Sequence, residues 1–203
     1  MGGVQYRPHG SSCSNLRRSR RNLITLRCTQ RLLKRLRSEV APAEHFPTAV
    51  LGDWYANLLA TRPSHLALCV NERSLLSVVV PVADTRGFVA RFQRAAVRRL
   101  WQIPASSRVL SAEEQAMGEM HIGRTRSRSV LATMTQLAFA AQVRLQEEPT
   151  VDLDELGLWL CDTPCSALTT YWPLREAVAL LGQVGTNRAQ PAGNVQVPAN
   201  HYF

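Results

Sequence analysis

Three apolar runs separated by short, turn-forming breaks dominate the middle of the chain. They are Trp54-Tyr55-Ala56-Asn57-Leu58-Leu59, Leu66-Ala67-Leu68-Cys69-Val70 and Leu75-Leu76-Ser77-Val78-Val79-Val80. The breaks, Thr61-Arg62-Pro63-Ser64 and Asn71-Glu72-Arg73-Ser74, carry the residues that favour tight turns. Aromatic and β-branched runs of this length predict an antiparallel meander over residues 53–82. The third run is apolar at nearly every position, so its strand is expected to be covered on both faces. Upstream, Leu23-Ile24-Thr25-Leu26-Arg27-Cys28 predicts one more strand, followed by Thr29 as the N-cap of a helix bearing Leu32, Leu33 and Leu36.

After Pro81 the period of the pattern changes to 3.6. Phe88, Val89, Phe92, Ala96, Leu100 and Ile103 form one stripe, which predicts a helix over 86–102 that ends at Pro104. Ser111-Ala112-Glu113-Glu114 reads as a capping box opening a short helix. Met120-His121-Ile122-Gly123 predicts a brief strand. Ser129 is expected to cap a long helix whose face is Val130, Met134, Leu137, Ala138, Ala141 and Leu145, ending before Pro149. Shorter helices are expected over 152–161 and 173–183. The fold class implied is α+β: a small, mostly antiparallel sheet packed against several helices.

Charge divides the chain. Of its 24 Lys and Arg residues only Lys34 is a lysine, and ten of the 24 lie in residues 1–37, which contain no acid. The remainder is close to neutral, so basicity belongs to the N-terminus. Residues 1–22, rich in Arg, Ser and Gly, are expected to be a disordered extension, with a misassigned start, a nucleic-acid-attracting arm and a solubilising tail all open as its origin. A domain over 23–183 and a disordered tail over 184–203 follow. Ser19-Arg20-Arg21-Asn22 lacks the uncharged apolar stretch an export signal needs, and no window approaches a membrane span, so no membrane is expected. Five cysteines without a CxxC pair suit a reduced, cytoplasmic protein, and Cys161 and Cys165 read as two structural thiols rather than metal ligands.

Several stretches resemble a family of uncharacterised bacterial proteins, a domain of unknown function. The resemblance rests on Leu26 to Lys34 (Leu-Arg-Cys-Thr-x-x-Leu-Leu-Lys), on Gly52 to Leu59 (Gly-Asp-Trp-Tyr-Ala-Asn-Leu-Leu) and on Asn71 to Ser77 (Asn-Glu-x-x-Leu-Leu-Ser). A later motif is matched only in part, by Arg128-Ser129-Val130-Leu131 and Met134. Where the family carries Asn-Asp, this chain has Thr135-Gln136. The resemblance spans about residues 23–175, implies no activity, and favours a start just before the Leu-Arg-Cys-Thr stretch.

Two groups of residues are candidates for function. Asp53, Tyr55 and Asn57 alternate along one strand and therefore share a face, and with Glu72 they form a candidate interaction surface; a solvated strand edge is the competing reading. Arg91, Arg94 and Arg98 on one helix, with Arg124, Arg126 and Arg128 ahead of another, form a candidate phosphate-contacting surface; a solvated basic face balanced by Glu113, Glu114 and Glu119 competes with it. Asp53, Glu72 and His121 could serve acid–base chemistry only by converging, which their spacing does not enforce. No catalytic residue, cofactor or metal is assigned. The function expected is a non-catalytic interaction or regulatory module, with a protein partner or weak nucleic-acid contact. The alternative is a small metal-dependent hydrolase or nuclease built on Asp53 and Glu72.

Overall fold

The computed structural model describes residues 24–38, 40, 47–61 and 65–186. The expected N-terminal extension over 1–22 lies outside these residues, as does the tail from 187 onward. Among the described residues are five strands and six helices. The strands are β1 (Ile24–Cys28), β2 (Trp54–Leu59), β3 (Leu66–Asn71), β4 (Ser77–Pro81) and β5 (Met120–Arg124). The helices are α1 (Gln30–Leu36), α2 (Phe88–Trp101), α3 (Ser107–Gly118), α4 (Arg128–Glu147), α5 (Leu153–Cys161) and α6 (Pro173–Thr186).

The fold is α+β, with one mixed sheet in the order β4-β3-β2-β1-β5. The meander β2-β3-β4 is antiparallel, closed by the turn after Asn71. Asn71 Oδ1 accepts from the N–H groups of Arg73 (3.1 Å) and Ser74 (2.9 Å) and from the Ser74 hydroxyl (2.8 Å), which shapes that turn. β1 adds to β2 in parallel, and β5 adds to β1 in parallel. Parallel neighbours cannot be joined by a hairpin, so α1 lies on the path from β1 to β2, and α2 and α3 on the path from β4 to the far edge.

Alternation along the strands sorts the side chains into two cores. On one face Ile24, Leu26, Cys28, Trp54, Ala56 and Val78 pack with Phe88 and Phe92 of α2, Met117 of α3 and Leu181 of α6. On the other, Tyr55, Leu59, Leu68, Val70 and Val79 pack with Met134, Leu137 and Ala141 of α4 and with Leu156 and Leu160 of α5. β2 is therefore a central strand covered on both faces. β4 is covered on both faces as its composition predicts, and α5 sits so close that a Cβ on Gly157 would stand 3.2 Å from the Ser77 carbonyl oxygen.

Three helix boundaries differ from the sequence expectation. α3 begins at Ser107 behind the extended Ser106 rather than at Ser111, because Leu110 already belongs to its buried face. Ser111 is mid-helix, and Glu113 reaches away to another loop. α4 is capped by Ser127, whose Oγ accepts from the Val130 N–H at 3.3 Å, and not by Ser129. α6 continues past 183 to Thr186.

Trp54 is buried and meets Phe92 edge-on, ring centroids 5.3 Å apart. Trp54→Ala is expected to lower stability by about 3–5 kcal/mol in urea denaturation, the cost of an unfilled aromatic site.

Candidate functional site

An arginine in an apolar strand must meet a counter-charge or pay for its burial. Arg27 of β1 is 5% exposed, and in the parallel register it stands beside Tyr55 of β2. Its Nε donates to Asp53 Oδ2 at 2.7 Å. Asp53 is fully buried just ahead of β2, and its Oδ1 accepts from the Thr25 backbone N–H at 2.9 Å. Arg27 Nη1 also donates to the Arg124 carbonyl at 3.2 Å, which ties β5 to the same cluster. The close fit requires Gly123: a Cβ there would lie 2.5 Å from Thr25 Cγ2.

A second layer sits above this pair. Arg126 Nη2 lies 3.5 Å from Asp53 Oδ2 and 3.4 Å from Glu72 Oε1. The Tyr55 hydroxyl donates to Glu72 Oε1 at 3.3 Å and accepts from the Ser127 N–H at 3.2 Å, which places the start of α4 over the sheet. Glu72 Oε2 accepts from the Asp53 N–H at 3.4 Å. Burial, with the Glu72 charge behind it, raises the Tyr55 hydroxyl above its ordinary value, so Tyr55 serves as a neutral relay. Desolvation pulls the Arg126 guanidinium down, but Glu72, Asp53 and Tyr55 outweigh it and leave it above its ordinary value. Two guanidiniums and two carboxylates thus balance.

The structure brings Asp53, Tyr55 and Glu72 together, with the first two wholly interior and Glu72 at the rim. Asn57 stands apart, half-buried, with its Oδ1 accepting from the Thr29 hydroxyl at 3.0 Å. Of the candidate acid–base groups, His121 projects from β5 on the exposed side and does not join Asp53 and Glu72 in any described hydrogen bond or ion pair. The sequence candidates omitted Arg27 and Thr25, because their alternation with Ile24, Leu26 and Cys28 is the ordinary pattern of a strand with one solvated face and nothing local announces that the polar face is buried.

The six candidate phosphate-contacting arginines divide. Arg91 is held by Asp84 and by the Pro81 carbonyl, Arg98 Nη1 lies 2.5 Å from Asp154 of α5, and Arg126 caps the Asp53 cluster from its exposed rim. Arg94, Arg124 and Arg128 are exposed. Arg94 and Arg98 rim a shallow groove of about 570 Å³ between α2 and α3, floored by Val97 and Met117. Arg124 and Arg128 lie at the end of β5 and the start of α4, at the sheet edge opposite to β4.

Glu113 steadies the approach to Asp53. Its buried carboxylate accepts from the backbone N–H groups of Val50 (2.6 Å) and Leu51 (3.4 Å), three and two residues ahead of Asp53. Desolvation raises its pKa above the usual carboxylate range, partly offset by those two N–H groups and by Arg73.

The four described cysteines are free thiols, all buried. Burial pushes the Cys28 thiol up to about 12 and also raises Cys69, Cys161 and Cys165, so each stays protonated. Cys161 Sγ accepts from the Ser77 N–H at 3.2 Å. Among the described residues, no group of three or more His, Cys, Asp or Glu is placed to hold a metal ion, and no helix is long and apolar enough to cross a membrane.

Compared with known families, residues 25–176 match the model of a domain of unknown function, DUF6933, and the chain belongs to that family. No curated protein matches it.

Removing one partner from a buried ion pair leaves a charge without compensation. Arg27→Met is expected to cost about 3–5 kcal/mol, whereas Arg126→Met at the solvent rim should cost about 1 kcal/mol or less. Equal losses in urea denaturation would refute this ranking. For Glu113 the folded state holds its proton more tightly than the unfolded chain. Its stabilising contribution is therefore complete below the unfolded pKa and is lost as pH rises through the folded one. The stability of the native chain relative to Glu113→Gln should accordingly fall between acid and neutral pH, and a flat difference would show that burial does not perturb this carboxyl.

Proposed function

We propose that this DUF6933 member is a non-catalytic interaction module that contacts an anionic partner, with nucleic-acid phosphates as the ligand its exposed arginines suit. One observation carries the reading. Both oxygens of Asp53, the carboxylate at the centre of the ionisable cluster, are occupied, by the Thr25 N–H on one side and by Arg27 and Arg126 on the other. A group so committed is available neither as a general base nor as a ligand. Recognition then falls to what solvent can reach: Arg94 and Arg98 along the α2–α3 groove, and Arg124 and Arg128 at the head of α4. Guanidinium groups recognise phosphate oxygens with paired donors and no proton transfer.

The second reading, a metal-dependent hydrolase or nuclease, has one point in its favour, since Asp53 and Glu72 do face the same guanidinium. A divalent cation would have to displace two arginines from Asp53 to bind there, which weighs against it.

The test is fluorescence anisotropy of labelled mixed-sequence DNA and RNA with the full chain over a salt series. Weak binding is expected, and Arg94→Glu with Arg128→Glu should reduce its salt slope by about two, one unit per lost phosphate contact. Binding that ignores these two changes would remove the folded domain from phosphate recognition. A rise in melting temperature with Mn²⁺ that disappears in Glu72→Gln would favour the hydrolase.

A further inference from the structure

Four exposed cations, Arg31, Lys34, Arg35 and Arg37, sit on α1 and at its C-cap. At about 3.6 residues per turn, Arg31, Lys34 and Arg35 fall on one side of the helix, opposite the buried Leu32 and Leu36. Arg37 follows in the left-handed conformation, φ 52°, with its N–H on the Leu33 carbonyl. The mount is firm: the Thr29 N–H donates to the Ala56 carbonyl at 2.9 Å, and Leu32 is fully buried in the core. Surface arginines elsewhere meet acids, as Arg91 meets Asp84, Arg98 meets Asp154 and Arg144 meets Glu148. The α1 cations take part in no ion pair among the described residues, and residues 1–37 hold no acid to offer them. Helix electrostatics accounts for part of this arrangement only. Lys34 and Arg35 in the last turn suit the negative helix end, but Arg31 stands in the first turn, where a cation is disfavoured, and no acid accompanies it there. Arg31 and Arg35 are also like charges at i, i+4. An anion supplied from outside relieves both conflicts.

We propose, resting on the phosphate reading above, that the exposed side of α1 is a docking surface for the sugar–phosphate backbone of nucleic acid, bound without regard to sequence. A linear polyanion carries charge at close, regular intervals, which three cations along one helix side and a fourth beyond can neutralise together. Position supports the assignment. In the parallel β1–β5 ladder Cys28 stands beside Arg124, so the start of α1 and the exposed Arg124 occupy the same end of the sheet. Arg128, also exposed, follows at the start of α4. The other anionic partners fit less well. A membrane surface needs apolar side chains turned toward the lipid, yet the leucines of α1 pack into the core. A protein interface draws on aromatic anchors, and α1 has none. Charge alone is what this helix side offers, and charge alone is what a repeating phosphate chain requires.

The test is fluorescence anisotropy of a labelled mixed-sequence DNA duplex with the full chain, over a salt series. The triple variant Arg31→Gln, Lys34→Gln, Arg35→Gln is expected to bind at least about tenfold more weakly at ~0.1 M salt and to lose about three units of salt slope, near one per phosphate contact. The charge-preserving triple Arg31→Lys, Lys34→Arg, Arg35→Lys should bind as the native chain does. Glutamine, lysine and arginine have similar helix propensities, and circular dichroism checks that both triples keep the fold. A control variant changes Arg17, Arg18, Arg20 and Arg21 to glutamine. Native affinity in the α1 glutamine triple would overturn the assignment of α1 and leave the phosphate reading standing. A loss of binding confined to the control variant would overturn the assignment as well. No binding by the native chain at any salt concentration would overturn the assignment and the phosphate reading together.

Discussion

The ion pair between Arg27 and Asp53 is what the architecture is arranged around. It couples the first strand to the second across the parallel ladder, and through the Thr25 N–H and the Arg124 carbonyl it reaches both β1 and β5. A fully buried carboxylate is tolerable only where fixed donors replace water on every oxygen. That requirement explains otherwise unrelated features: a glycine at 123 where any side chain would collide with Thr25, an arginine at 126 closing the cluster from above, and Glu113 holding the loop that delivers Asp53. Slipping β1 by one residue would carry Arg27 to the apolar face, so the pair is compatible with this register and not with its neighbours.

Legibility in the sequence followed the range of the physical signal. Apolar, β-branched runs between turn signals exposed β2, β3 and β4, alternation along the first run assigned Trp54 and Tyr55 to opposite faces, and period 3.6 exposed α2 and α4. Both signals lie within a dozen residues. What joins the elements does not. Arg126 meets Asp53 across 73 positions of chain, and Glu113 meets Val50 across 63, with no local pattern announcing either. Cap positions were misplaced for a related reason: Ser111 and Ser129 fit the composition of an N-cap, but Ser106 and Ser127 hold the extended backbone that a cap needs.

The same distinction separates the motifs from their meaning. Gly52 to Leu59 and Asn71 to Ser77 read on the page as a surface of polar residues beside a turn. In the fold, Asn71 spends its amide oxygen on the turn, and Glu72 anchors Tyr55. Residues that look like chemistry in a linear string are here the joints of the scaffold. The exposed arginines Arg94, Arg124 and Arg128 are scattered along the chain instead.

The sealing of β4 by α5 has a consequence for assembly. Ser77 already gives its N–H to the Cys161 thiol, and Gly157 lets the helix rest against the strand backbone. A sheet with two open borders can add copies at either end without limit and grow into a fibre; a sheet with one closed border stops at a pair. The glycine and the thiol thereby leave the β4 border no room for a further strand.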